Sequence, residues 1–204
     1  MNKKPIDSTI LERSLTLLGA LLSKSSSPEI SLIVCGGSSL VANRLVSRTT
    51  KDVDIIAFLD ENKQIIKAEP FPEFLKRAAD VVQIELQLPD NWLNNGPWSL
   101  INFNLSNSGL PQGFLDRLKY KKYSSSLNVY FIDRIDQIHF KLYAAADKGG
   151  PSYHLDDLIS LSPDNDEIYE AVLWTFIQNP SPEFREIMIT MLEAIGYGNI
   201  AKRI

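Results

Sequence analysis

The sequence predicts an α/β fold: a mixed sheet core flanked by helices, with a helical C-terminal region. Three observations carry this. Short apolar, β-rich runs recur at 30–35, 52–58 and 127–131. Segments of helical composition separate them, and from Asp133 onward only helical periodicity remains. Strands that alternate with helices, followed by helices alone, read as an α/β core over 1–132 with a helical region over 133–204 packed on it.

The elements follow in order. Thr9-Ile-Leu-Glu12 has the form of a capping box, and Leu11, Leu15, Leu18 and Leu22 recur at helical spacing. A first amphipathic helix therefore runs to about Lys24, where Ser25-Ser-Ser-Pro28 ends it. The run 30–35 reads as a buried strand that Gly36-Gly37 breaks, and 38–45 reads as a helix. The strand 52–58 carries Val53, Ile55 and Phe58. Residues 73–82 look helical; 83–88 alternate, as a strand with one wet face or the end of that helix. Turns are expected at 89–92 and 94–97, and a strand at 127–131. Ile168, Ala171, Val172 and Phe176 mark one later helix. Phe184, Met188, Met191, Leu192 and Ile195 mark the last, with Gly196 as its C-cap.

Composition narrows the function classes. With 204 residues, 44% hydrophobic and 23% charged, the chain suits a globular protein rather than a disordered one. A formal net charge of −4 argues against a broad basic surface for duplex DNA or an anionic membrane. The apolar run 15–22 is interrupted by Thr16, Gly19 and Ala20 and is too short to span a bilayer, so a cytoplasmic protein is expected. Cys35 is the one cysteine, which excludes a disulfide framework and a thiolate metal cluster.

The chemistry concentrates in Val34-Cys-Gly-Gly-Ser-Ser-Leu40 followed by Thr50-Lys-Asp-Val-Asp-Ile55. Residues two apart on a strand project from one face, so Asp52 and Asp54 can point at one site. Two adjacent carboxylates are costly neighbours unless a cation neutralises them. Mg²⁺ does so at about 2.0–2.1 Å, completing its octahedron with water and substrate phosphates. A second ion about 3.5–4 Å away would activate an attacking hydroxyl. A strand ending in Gly36-Gly37-Ser38 and turning into a helix exposes backbone N–H groups suited to a triphosphate, and Ser38 can add a hydroxyl. Arg44, Arg48 and Lys51 lie between the two elements and can offset phosphate charge. The pattern is neither Gly-x-x-x-x-Gly-Lys-Ser/Thr nor Gly-x-Gly-x-x-Gly.

Gly-Gly-Ser, a helix, then Asp-x-Asp on a strand resembles the signature of the DNA-polymerase-beta-like nucleotidyltransferase superfamily. Asp136-Gln-Ile-His-Phe-Lys-Leu-Tyr-Ala144 resembles the Asp-x-x-x-x-Lys-Leu-x-Ala helix of abortive-infection-type toxin nucleotidyltransferases. It is more similar still to a group of uncharacterised bacterial nucleotidyltransferases related to them. His154-Leu-Asp-Asp-Leu158, Leu161-Ser-Pro163, Glu167, Trp174 and Pro89-Asp-Asn-Trp-Leu93 match that group as well, so the resemblance spans about 30 to 196. It implies nucleotide and metal binding at Gly37, Ser38, Asp52 and Asp54, with Mg²⁺ (or Mn²⁺) and an NTP as substrate. It implies a phosphate-contacting or catalytic role for Lys141 and a polar active-site role for Asp157. It further implies transfer of a nucleoside monophosphate to a hydroxyl acceptor, a tRNA end or a protein side chain, and a partner antitoxin. Members often carry a third acid on a later strand, where 127–131 offers Asn128 instead. The toxin branch often has an arginine before the acid matched to Asp157, where this chain has Asp156. A catalytically silent nucleotide- or protein-binding module on the same fold is the alternative, and a transferase acting on a small molecule is a third reading.

Other features have plainer readings. Arg117-Leu-Lys-Tyr-Lys-Lys-Tyr123 interleaves basic and aromatic residues, as a grip for an RNA end would, but also as a solvated loop or helix face does. His139 and His154 are too far apart and too poorly accompanied for a zinc site. Trp92, Trp98 and Trp174 read as core or loop anchors.

Overall fold

The computed structural model describes residues 3–105 and 109–204. They fall into two compact units, Met1–Asp133 and Arg134–Ile204.

The first unit opens with helix α1, Ser8–Lys24. Its N-cap is Asp7, whose Oδ1 accepts from the Ile10 N–H at 2.8 Å. The capping box expected at Thr9 and Glu12 is therefore not used: a carboxylate two residues earlier satisfies the orphan amide first, and Glu12 bonds Lys121 and Tyr123 instead. Strand β1, Ile30–Cys35, leads into α2, Gly36–Ala42. Helix α2 begins two residues earlier than expected because the glycines open the helix rather than precede it. Then come β2, Val53–Leu59; β3, Ile65–Lys67; α3, Glu73–Leu86; and β4, Leu93–Asn94. Of the two readings for 83–88 the helix holds: α3 runs to Leu86 and closes on Gln87 in the left-handed region. A 3₁₀ turn, Gly96–Leu100, a short helix α4, Phe114–Arg117, and strands β5, Lys119–Lys122, and β6, Leu127–Phe131, complete the unit.

The sheet is mixed, in the order β3-β2-β1-β6-β5, with β4 also on β2. Strand β1 runs antiparallel to β2 and parallel to β6. Ile33 pairs with Ala57 but Val34 with Ile55, so Ile56 is an extra residue that bulges β2 just above the acids. Leu15 and Leu18 of α1, Leu75 and Val82 of α3, and Val34, Val53 and Val129 of the sheet form one buried core. The basic-aromatic segment is the edge strand β5 rather than a loop or helix face. Its alternation of Lys119 and Lys121 with Tyr120 and Lys122 is the period of a strand, and exposed lysines protect such an edge from pairing. Lys121 pairs with Glu12 at 2.7 Å and Lys119 with Asp133 at 3.0 Å.

The second unit is helical: α5, Arg134–Lys148; α6, Tyr153–Ser160; α7, Asn165–Gln178; α8, Pro182–Ala194; and α9, Gly198–Ala201. Helix α5 packs against α6, α7 and α8. Asp164 and Glu167 cap α7 reciprocally. Arg134 grips both oxygens of Glu167 at 2.6 and 3.0 Å and reaches the carbonyls of Leu161 and Ser162. The Trp174 ring meets His139, Phe140 and Tyr143 edge-on. Gly196, at φ +92°, ends α8 as expected, and the Tyr197 N–H closes back onto the Leu192 carbonyl. Among the described residues no helix is long and apolar enough to cross a membrane.

Candidate functional site

The end of β1 and the start of β2 lie side by side, Cys35 opposite Asp54. Val53 and Ile55 are fully buried in the core, which leaves Asp54 between them half-buried on the other face of the sheet; Asp52 is half-buried as well. Asp52 stands one residue before β2 rather than inside it.

Gly36 turns the chain at φ +68°, in the region that favours glycine. A Cβ at Gly36 would sit 2.5 Å from Asp54 Oδ2, so the carboxylate lies against the bare face of the turn. A Cβ at Gly37 would sit 2.7 Å from Thr50 Oγ1 and 3.3 Å from Arg48 Nη2. Both glycines are thus needed for close approach, one to an acid and the other to a hydroxyl and a guanidinium. Arg48 is half-buried and donates to the Thr49 carbonyl at 2.9 Å. The loop that carries it is pinned where Ile6 and Thr50 exchange backbone hydrogen bonds of 2.8 and 2.9 Å.

Other expected contributors are placed differently. Ser38 is fully buried and donates its hydroxyl to the Cys35 carbonyl at 3.1 Å, so it braces the turn from inside. Ser39 and Asn43 donate to the Ile132 carbonyl at 3.0 and 2.9 Å, tying α2 to the end of β6. Lys51 is exposed. Arg44 lies beyond the far end of α2, whose seven residues at 1.5 Å each span about 10 Å from Gly36.

Asn94 was not anticipated. It lies on β4 in register with Asp54, and its Nδ2 donates to Asp54 Oδ1 at 3.2 Å. Trp92 fixes the approach of this short strand, its fully buried indole donating to the Ala79 carbonyl of α3 at 2.9 Å. Asn128, read from the sequence at the place of a third acid, is opposite Ser31 near the start of β1. That is four residues, about 13 Å of strand, from Cys35. It bonds Tyr120 and Glu29 there. The correction follows from pairing: β6 is parallel to β1 and meets the glycine turn at its other end, while β4 lies beside Asp54.

In the second unit Lys141 of α5 and Asp157 of α6 meet each other. Nζ lies 2.7 Å from Oδ2, with side chains 5% and 2% exposed. The Tyr153 ring lies 5.7 Å from the ammonium. The side chains expected to contact phosphate and to line an active site form a buried ion pair in this structure.

A sequence profile for a family described as a nucleotidyltransferase of unknown function, DUF6036, matches residues 14–160. The chain belongs to this family. Searches of curated proteins and of solved structures gave no match. The matched stretch runs from within α1 to the end of α6, so it contains the glycine turn, both strand acids, Lys141 and Asp157.

The family description raises the question of a metal. Among the described residues no group of three or more His, Cys, Asp and Glu is gathered for one. What the site offers is two half-buried carboxylates, Asp52 and Asp54, next to a turn that holds Gly36 at φ +68°. Mg²⁺ commonly takes one or two carboxylates and fills its remaining positions with water and phosphate oxygens. The donor set fits that use, with Asp52 and Asp54 as ligands, and Mn²⁺ suits the same oxygens.

Proposed function

We propose that this chain is a divalent-metal-dependent nucleotidyltransferase that moves a nucleoside monophosphate from an NTP to a hydroxyl acceptor. The observation that carries this is the contact of Asp54 Oδ2 with the bare face of Gly36: a turn made at φ +68° sets the strand acid beside the start of α2. Amides there suit phosphate oxygens, Arg48 adds charge beside Gly37, and Asp52 and Asp54 hold the cation of the incoming NTP. In the transfer, the acceptor oxygen bonds the α-phosphorus, the α–β bridging bond breaks, pyrophosphate leaves and the hydroxyl proton passes to water. Mg²⁺ supplies neutralisation of charge on the phosphates. A tRNA end or a protein side chain as acceptor, and an antitoxin as partner, rest on the resemblance to toxin nucleotidyltransferases.

Thermal melts of wild type and Asp54→Ala with Mg²⁺ and each of the four NTPs test this. A ligand at 100 times its Kd adds about 2.7 kcal/mol, which for this size is a rise of about 5–11 °C. Wild type should rise with at least one NTP and Asp54→Ala should not; no rise with any NTP sinks the reading. Asn94 beside Asp54 favours a second reading, a module that binds nucleotide without transfer, in which the melt rises but no pyrophosphate is released.

A further inference from the structure

The side chain next to Asp54 across the sheet is an amide, and its hydrogen bonds fix which end of it faces the acid. The Gly96 N–H donates to Asn94 Oδ1 at 2.8 Å. A backbone N–H only donates, so the atom it reaches is the carbonyl oxygen. The Asn94 NH₂ therefore faces the carboxylate and donates to Asp54 Oδ1 at 3.2 Å. A flip that turned the oxygen toward the site would lose the bond from Gly96 and set two donors against each other.

We propose that Asn94 limits this site to one divalent cation, the one that arrives with the triphosphate. The inference rests on the nucleotidyltransferase reading and adds the metal count to it. A pair of ions about 3.5–4 Å apart needs enough anionic oxygens for two coordination shells. Among the described residues no third acid joins Asp52 and Asp54, and one oxygen of Asp54 accepts from a donor whose hydrogens repel a cation. Asn94 thus acts as a positioning residue: it holds the Asp54 carboxylate in one orientation and presents N–H where a second ion would need negative charge. Deprotonation of the acceptor hydroxyl is then not assisted by a second ion bound at these residues.

The test is electron paramagnetic resonance of Mn²⁺ bound to the full chain with an α,β-methylene NTP analogue, corrected for Mn²⁺ held by the analogue alone. Wild type should hold one ion per chain with a mononuclear spectrum. Asn94→Asp places a carboxylate where the amide stood; it should bind Mn²⁺ about tenfold more tightly and show an exchange-coupled pair. The same variant should melt below wild type in EDTA and gain more from Mn²⁺, because three carboxylates then repel one another until an ion joins them. A coupled pair in wild type overturns the inference and leaves the nucleotidyltransferase reading standing, as does a single ion in a folded Asn94→Asp. No bound Mn²⁺ in wild type overturns both. If Asn94→Asp does not fold, the wild-type spectrum alone decides between one ion and two.

Discussion

Asp54 and Asp157 are both acids that the family resemblance singles out, and the fold treats them in opposite ways. Asp54 stands half-buried, two residues from another acid of the same sign, against a glycine forced into the left-handed region. Asp157 is buried against a lysine at 2.7 Å. Like charges gathered at a partly wet surface cost stability and invite a cation from outside. Opposite charges buried together satisfy each other and invite nothing. The difference separates two electrostatic settings more clearly than motif matching does, since both acids fall within the matched residues.

The contrast can be broken at its buried end first. Lys141→Ala leaves the Asp157 carboxylate buried without its cation and should cost about 3–5 kcal/mol, a fall in Tm of about 6–20 °C. Lys141→Met with Asp157→Leu should recover most of that loss. A single variant that melts with wild type would mean that water reaches the pair, and its description as a buried ion pair would fail.

At the other end, Gly36→Ala should lose about 1–2 kcal/mol from the left-handed backbone alone, with a further loss from displacing Asp54. In an Asp54→Ala background only the backbone part should remain, and urea titrations of the four proteins would measure the coupling. Equal losses in both backgrounds would argue against close approach of the acid to the turn.

The smallest effect concerns Glu167, whose hydrogen bonds from Arg134 hold its carboxyl below the ordinary value of 4.5. The unfolded chain takes up this proton more readily. The stabilisation is therefore complete above about pH 4.5 and fades as pH falls through the lowered value. Glu167→Gln should cost less than about 1 kcal/mol at pH 7 and progressively less as pH falls through the lowered value, read from melts stepped down from pH 7. A gap between the two proteins that widens in acid would reverse the sign of this account.

Legibility followed locality. The glycine turn and the paired acids could be read from the sequence because a turn needs glycine and a strand repeats every two residues, both within a few positions. Helix α1 was legible from its leucines, but its start was not: Asp7 and Thr9 are both good caps, and only the chain's approach decides between them. Asn94 was hidden because a two-residue strand has no periodicity, and because its place depends on Trp92 reaching α3. The signal nearest to it was the match at Pro89-Asp-Asn-Trp-Leu93, which stops one residue short. The third-acid position falls on β6 because Leu127, Val129 and Phe131 alternate there as a legible later strand. Which end of β6 meets the site depends on a parallel pairing across nearly a hundred residues, which no local pattern records.

That same pairing sets an order of assembly. Strand β1 lies between β2, which follows it closely, and β6, which is made much later. The turn at Gly36 is held from behind by Ser39 and Asn43, whose shared acceptor is the carbonyl of Ile132. As a chain emerges from its N-terminus, the residues of the turn and both acids are present early, but their backing arrives only with the last residues of the first unit. The earliest chemistry-bearing part of this protein to be synthesised is thus among the last to be fastened in place.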